Sequence, residues 1–174
     1  MKYQIIPSVM AKNQKELDEF WRRLRGVAPV LHLDIADGKC VPTHVLDFPF
    51  QLSRSFRYQA HLMVKQPEKW IRKSHYRIDL YISPIEEIED PLQYIQLMRK
   101  RKQKVAFSLR PETPATVLYP YLSQIDYVLI LTVHPGFYGA RYLKTPLRKI
   151  PILKYHNPHL TIIVDGGMSP RTIR

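Results

Sequence analysis

Apolar residues recur along the chain in short runs, and their spacing switches between the period of a strand and that of a helix. "QIIPSVM", "VLHLDIA", "YQAHLMV", "DLYISPI", "KVAFSLR", "YVLILTV" and "TIIVDGG" are brief and rich in β-branched and aromatic residues, which predicts seven strands. Between the first two lies "KNQKELDEFWRRLRG", with Leu17, Phe20, Trp21 and Leu24 on one helical face and Gly26 as a stop. "PEKWIRKS", "DPLQYIQLMRKRKQ", "TPATVLYPYLSQ" and "LKTPLRKIPILKYHN" are the later crossovers. Pro146 and Pro151 should break or kink the last of them. After the seventh strand, Ser169 reads as an N-cap and Pro170 as the first residue of a helix.

Regular alternation of strand and helix implies a parallel sheet. The expected architecture is one α/β domain over residues 1–174, a (β/α)8 TIM-type barrel or an open doubly wound sheet. Complete barrels run to about 200 residues or more. The barrel reading therefore covers about seven β/α units and is C-terminally truncated. Truncation would leave the first and seventh strands with open edges. The chain would then be a fragment of a longer product, or a homologue that covers the gap by association, as in a homo-oligomer.

The second strand poses a question. Alternation puts Leu31, Leu33 and Ile35 on one face of "VLHLDIADG" and His32, Asp34 and Ala36 on the other. In a parallel sheet both faces are buried and apolar. A His and an Asp two residues apart need a reason to be there.

Composition narrows the setting. A chain of 174 residues with 45% hydrophobic and 24% charged residues is an ordinary soluble globular protein. No apolar run reaches the 18 residues or so of a membrane span, so no membrane partner is expected, and "MKYQIIPSVMAKNQ" lacks a signal-peptide core. Cys40 is the only cysteine, which excludes an intrachain disulfide and fits a reducing cytoplasm. The net charge of +12 raises a nucleic-acid partner. Its densest run, "RKRKQK" at 99–104, follows a helical stretch, where cations complement the helix dipole, and no nucleic-acid motif accompanies it. A solvated helix end is the expectation, not nucleic-acid binding.

Five of the 6 glycines, Gly38, Gly136, Gly139, Gly166 and Gly167, follow strands directly. Turn geometry alone can require that, but strand C-termini are also where parallel sheets bind ligands. Near the same ends stand His32, Asp34, His61, with Met63 on its face, and Asp165. Two imidazoles and two carboxylates suit a divalent transition metal: Zn, Fe(II), Mn or Co. The competing reading makes each His a hydrogen-bonded core residue and Asp165 a helix cap. Several buried polar groups without a shared partner would cost several kcal/mol.

"IIPSVMA", "LHLDIADG", "HLMV", "LTVHPGFYG" and "VDGGMSPRTI" occur in the order and spacing of ribulose-phosphate 3-epimerases, and from about Ile5 onward the chain resembles that family. The resemblance implies a ribulose-phosphate-binding (β/α)8 barrel of the pentose phosphate pathway, acting on a phosphorylated ketopentose. It implies His32, Asp34, His61 and Asp165 as ligands of one metal, with Asp34 and Asp165 also as the acid–base pair. It implies substrate contacts from Ser8, His61 and Met63, a closing loop of Gly136, Phe137, Tyr138 and Gly139, and a phosphate cradle including Gly166 and Gly167. Interconversion of D-ribulose 5-phosphate and D-xylulose 5-phosphate needs a proton removed from one face of C3 and one returned to the other. The enediolate between them needs a stabilising cation. Ala36 stands where the family usually has Met, which it has again near Leu131; Pro84 stands where it has His, and Arg110 where it has Asn. These departures keep two alternatives open: a hexulose-phosphate 3-epimerase, and a weakened or non-catalytic homologue that binds a phosphosugar or a protein.

Overall fold

The computed structural model describes residues 3–74, 76–136 and 139–173 and divides into two compact units, Met1–Tyr81 and Ile82–Arg174. In the first unit β1 (Ser8–Val9) pairs in parallel with β2 (Val30–Asp37), which pairs in parallel with β4 (Arg57–Met63). A two-residue β3 (His44–Val45) runs antiparallel against the end of β2. It was not anticipated, since two residues carry no periodicity. β1 is shorter than "QIIPSVM" suggests because Pro7 has no N–H to donate, although its carbonyl accepts from His32 N at 2.9 Å.

Helix α1 (Gln14–Leu24) starts where the Asn13 side chain accepts from Glu16 N, while the Glu16 carboxylate accepts from Lys12 N. Leu17 is buried, and Phe20, Trp21 and Leu24 are half-buried on the same side, which is the predicted face. Gly26 follows at φ +77°, a backbone that L side chains rarely adopt. After β4, helix α2 (Pro67–Lys73) begins with a proline in its first turn.

In the second unit β5 (Leu80–Pro84), whose first residues belong to the first unit, is followed in the sheet by β6 (Ala106–Leu109), β7 (Tyr127–Leu131) and β8 (Thr161–Asp165), all parallel. Helix α3 (Pro91–Lys100) is capped by Asp90, which accepts from Gln93 N, and buries Tyr94, Ile95, Leu97 and Met98. Arg99 and Lys100 close it, as the charge pattern implies. The next crossover is a 3-10 helix, Ala115–Tyr121, because Pro120 inside it removes a donor. The last one breaks into a 3-10 turn, Thr145–Arg148, and helix α4 (Lys149–His156), with Pro151 in the first turn, where no N–H is needed. Residues 169–173 form one turn closed by Thr172 N and Ile173 N on Ser169 O, not the expected regular helix. Two such bonds make a turn and no more.

Both faces of the central strands are buried. Leu31, Leu33 and Ile35 back β2 in the first unit, and Val128, Leu129 and Ile130 fill β7 in the second. Seven parallel strands with helical segments between them are the architecture of a (β/α)8 TIM-type barrel in seven of its units.

Candidate metal centre

His32 and Asp34 point to the same side of β2, and both are buried, His32 at 3% and Asp34 at 7% exposure. The parallel register with β4 sets Asp34 opposite His61 and His32 opposite Gln59. His61 is fully buried. Asp34 Oδ1 lies 3.3 Å from His32 Nε2 and 3.6 Å from His61 Nδ1, and the two imidazole rings are 6.0 Å apart. Two nitrogens and one oxygen thus converge in the interior of the first unit. β2 runs on to Asp37, where β3 pairs with it, so these side chains sit in the body of the strand and not at its very end.

Burial alone would push the Asp34 carboxyl up. The positive charge that His32 carries when protonated, and the polar contacts of His32 and then His61, outweigh burial and hold the carboxyl below the usual carboxylate range. Asp34 is therefore an ionised group in an apolar strand. Oδ1 is buried and makes no hydrogen bond of normal geometry, which is costly unless something else satisfies it.

A divalent ion fits this arrangement. The candidate ligand atoms of His32, Asp34 and His61 lie within 4.8 Å of one another. Ligands about 2.1 Å from one ion stand roughly 3–3.4 Å apart, close to the two distances at Oδ1. Imidazole with carboxylate is a donor set for Zn, Fe(II), Mn or Co. Gln59 supports the set from behind, its amide Nε2 placed 2.7 Å from His32 Nδ1. A partner on the far ring nitrogen fixes which nitrogen faces inward.

The model of the ribulose-phosphate 3 epimerase family matches residues 4–174. A ribulose-phosphate 3-epimerase of Candida glabrata is 31% identical over 97% of this chain and 78% of its own length. The cytoplasmic isoform of rice (Oryza sativa subsp. japonica) is 32% identical over 98% of this chain and 79% of its own. That of Aquifex aeolicus is 29% identical over 97% of this chain and 81% of its own. The chain belongs to the ribulose-phosphate 3-epimerase family. Its relatives of that name are epimerases, and the buried His/Asp group is able to hold a metal.

The other residues singled out in the sequence fall as follows. Ser8 on β1 is in register with His32 and is exposed. Met63 ends β4, buried, opposite Ala36. Asp165 belongs to the second unit, where it ends β8 half-buried and in register with Leu131. Gly166 and Gly167 follow it with φ +101° and +67°. Gly136 is buried at φ +111° and Gly139 is exposed at φ +77°. Phe137 and Tyr138 lie outside the described residues.

Of the family departures, Pro84 ends β5 in register with Ser108. Arg110, after β6, donates from its guanidinium to Glu87 at 2.7 Å, while Glu86 accepts from Arg110 N and from the Thr113 hydroxyl. The buried Lys149 ammonium donates to the carbonyls of Arg110 and Pro111 at 2.7 and 2.9 Å. Burial depresses the Lys149 ammonium, and Glu86 and Glu112 partly restore it. These bonds tie the turns at the strand ends of the second unit together.

Sequence reasoning missed Gln59, Asp37 and Thr132. Gln59 was within reach, because it shares the face of His61 and Met63 by alternation. Asp37 and Thr132 act on backbone groups, and no periodicity marks that.

Proposed function

We propose that the chain interconverts D-ribulose 5-phosphate and D-xylulose 5-phosphate by proton transfer at C3, in the cytoplasm. His32, Asp34, His61 and Asp165 hold one divalent transition metal: Zn, Fe(II), Mn or Co. The observation that carries this reading is Asp34, an ionised carboxylate buried between two imidazoles in a strand that otherwise wants apolar residues. When bound, the ion supplies Lewis-acid stabilisation of negative charge on the substrate's oxygens.

The protein's own groups do the rest. One of the two carboxylates, Asp34 or Asp165, takes the C3 proton, and the C–H electrons move into the enediolate. The other aspartate begins as the protonated acid, gives its proton to the opposite face of C3 and is left ionised. Asp34 uses Oδ2 for this, because Oδ1 faces the histidines. With His32 Nε2 as a ligand, its proton resides on Nδ1, and the Gln59 amide, whose nitrogen stands 2.7 Å from Nδ1, accepts that proton once its side-chain amide is turned to bring the oxygen there. Ser8 and Met63 contact the sugar, together with the loop of Gly136, Phe137, Tyr138 and Gly139. Backbone N–H groups at Gly166 and Gly167, both in the left-handed region, receive the phosphate.

The test is conversion of D-ribulose 5-phosphate followed in a coupled assay before and after chelation. Turnover that is lost to a chelator and regained with Zn, Fe(II), Mn or Co supports the reading. A well-folded, metal-loaded chain that leaves the substrate unchanged contradicts it.

A further inference from the structure

We propose that Thr132 is a positioning residue for Asp165 and for the glycine turn that follows it; this rests on Asp165 being the second acid–base carboxylate. Thr132 immediately follows β7 and is fully buried. Its N–H donates to Asp165 O at 2.7 Å, which extends the ladder between β7 and β8 by one bond. Its hydroxyl then reaches past that bond. Oγ1 lies 2.6 Å from Gly166 O and 2.8 Å from Asp165 O. One hydroxyl serves two adjacent carbonyls, so the two peptide planes that flank Gly166, the first of them leaving Asp165, are held by a single side chain.

The neighbouring residues make the arrangement specific. Gly166 has φ +101°, and a Cβ there would stand 2.5 Å from Val133 Cγ2. Thr132 holds the carbonyls from one side, and Val133 fills the space that a side chain at 166 would need. The Thr132 carbonyl in turn accepts from Leu143 N at 2.7 Å. One residue therefore fixes the start of the segment that carries Gly136 and Gly139, and also the turn of Gly166 and Gly167. A threonine hydroxyl in this position decides where the Asp165 carboxylate leaves the sheet.

A valine is nearly the same shape and lacks the hydroxyl. Thr132→Val keeps the N–H bond to Asp165 O but takes the hydroxyl from Gly166 O and lets the peptides flanking Gly166 turn. In the full chain it should lower kcat about tenfold, the equivalent of one buried hydrogen bond, with KM changed far less. Thr132→Ser restores the hydroxyl and should recover kcat to within about threefold. The decisive readout is the primary isotope effect with substrate deuterated at C3. It should rise in Thr132→Val for the one epimer whose proton Asp165 removes and stay unchanged for the other. A merely structural loss would leave the isotope effects of the two epimers changed alike.

Unchanged kinetics in Thr132→Val, or isotope effects that rise equally for both epimers, overturn the proposal. So does a folded Thr132→Ser variant that stays impaired, which decides the matter even if the valine variant does not fold. A metal-loaded wild-type chain without turnover overturns the epimerase reading and this one together, whereas wild-type turnover with an indifferent Thr132 overturns this one alone.

Discussion

Asp34 and His61 stand directly opposite each other in the parallel register of β2 and β4, the carboxylate Oδ1 3.6 Å from the imidazole Nδ1. Neither side chain moves independently of the sheet. The site is built on two adjacent strands, and rigid strands hold ligands more precisely than loops do. His61→Ala should fold, because its neighbours Leu62 and Ala60 keep β4 buried, and should lose about one equivalent of metal by elemental analysis. Equal metal in mutant and wild type would remove His61 from the ligand set.

Gln59 offers a separate lever on the same centre. Its amide nitrogen stands 2.7 Å from His32 Nδ1. Gln59→Leu keeps the volume and removes the partner. Metal affinity should fall about 10- to 100-fold, as for other residues that orient a ligating histidine, while β4 stays paired. Competition with a chelator of known affinity measures this. Affinity equal to wild type would show that His32 needs no orientation from behind.

Asp37 closes β2 through backbone bonds. Its Oδ1 accepts from Lys39 N and Cys40 N, and its Oδ2 accepts from Lys65 N, the residue just past Val64 after β4. Partial burial would raise its carboxyl, but these N–H groups outweigh burial and lower it. A carboxyl lowered by folding stabilises the fold above its unfolded pKa, about 3.9. That contribution fades as pH falls through the lower folded value. Asp37→Ala should therefore cost about 1–2 kcal/mol at pH 7. The difference from wild type should shrink below about pH 4. Urea unfolding from pH 7 to pH 3 checks both. A difference that grows on acidification would contradict the assignment.

Much of this was readable from the chain alone, because burial imposes a period. Leu31, Leu33 and Ile35 identify β2 as a strand, and the same alternation isolates His32 and Asp34 as residues that a core would not choose. The β4 face, with Gln59, His61 and Met63, follows from the same rule. Register did not follow: that Asp34 meets His61 and not Gln59 depends on how two strands whose partners lie 27 residues apart in the chain are aligned, and neither strand encodes this by itself. The 3-10 character of Ala115–Tyr121 was hidden because its apolar spacing suits any helix, and Pro120 decides which kind forms. β3 stayed invisible because two residues, His44 and Val45, have no pattern to read.

The central claim is that Asp34 and Asp165 carry the proton to and from C3. Incorporation of solvent deuterium at C3 of D-ribulose 5-phosphate in heavy water, followed by proton NMR, tests it most directly. The metal-loaded wild-type chain should exchange that proton, and Asp34→Asn and Asp165→Asn should each slow the exchange by about 100-fold or more. Exchange persisting at the wild-type rate in both variants would contradict the claim.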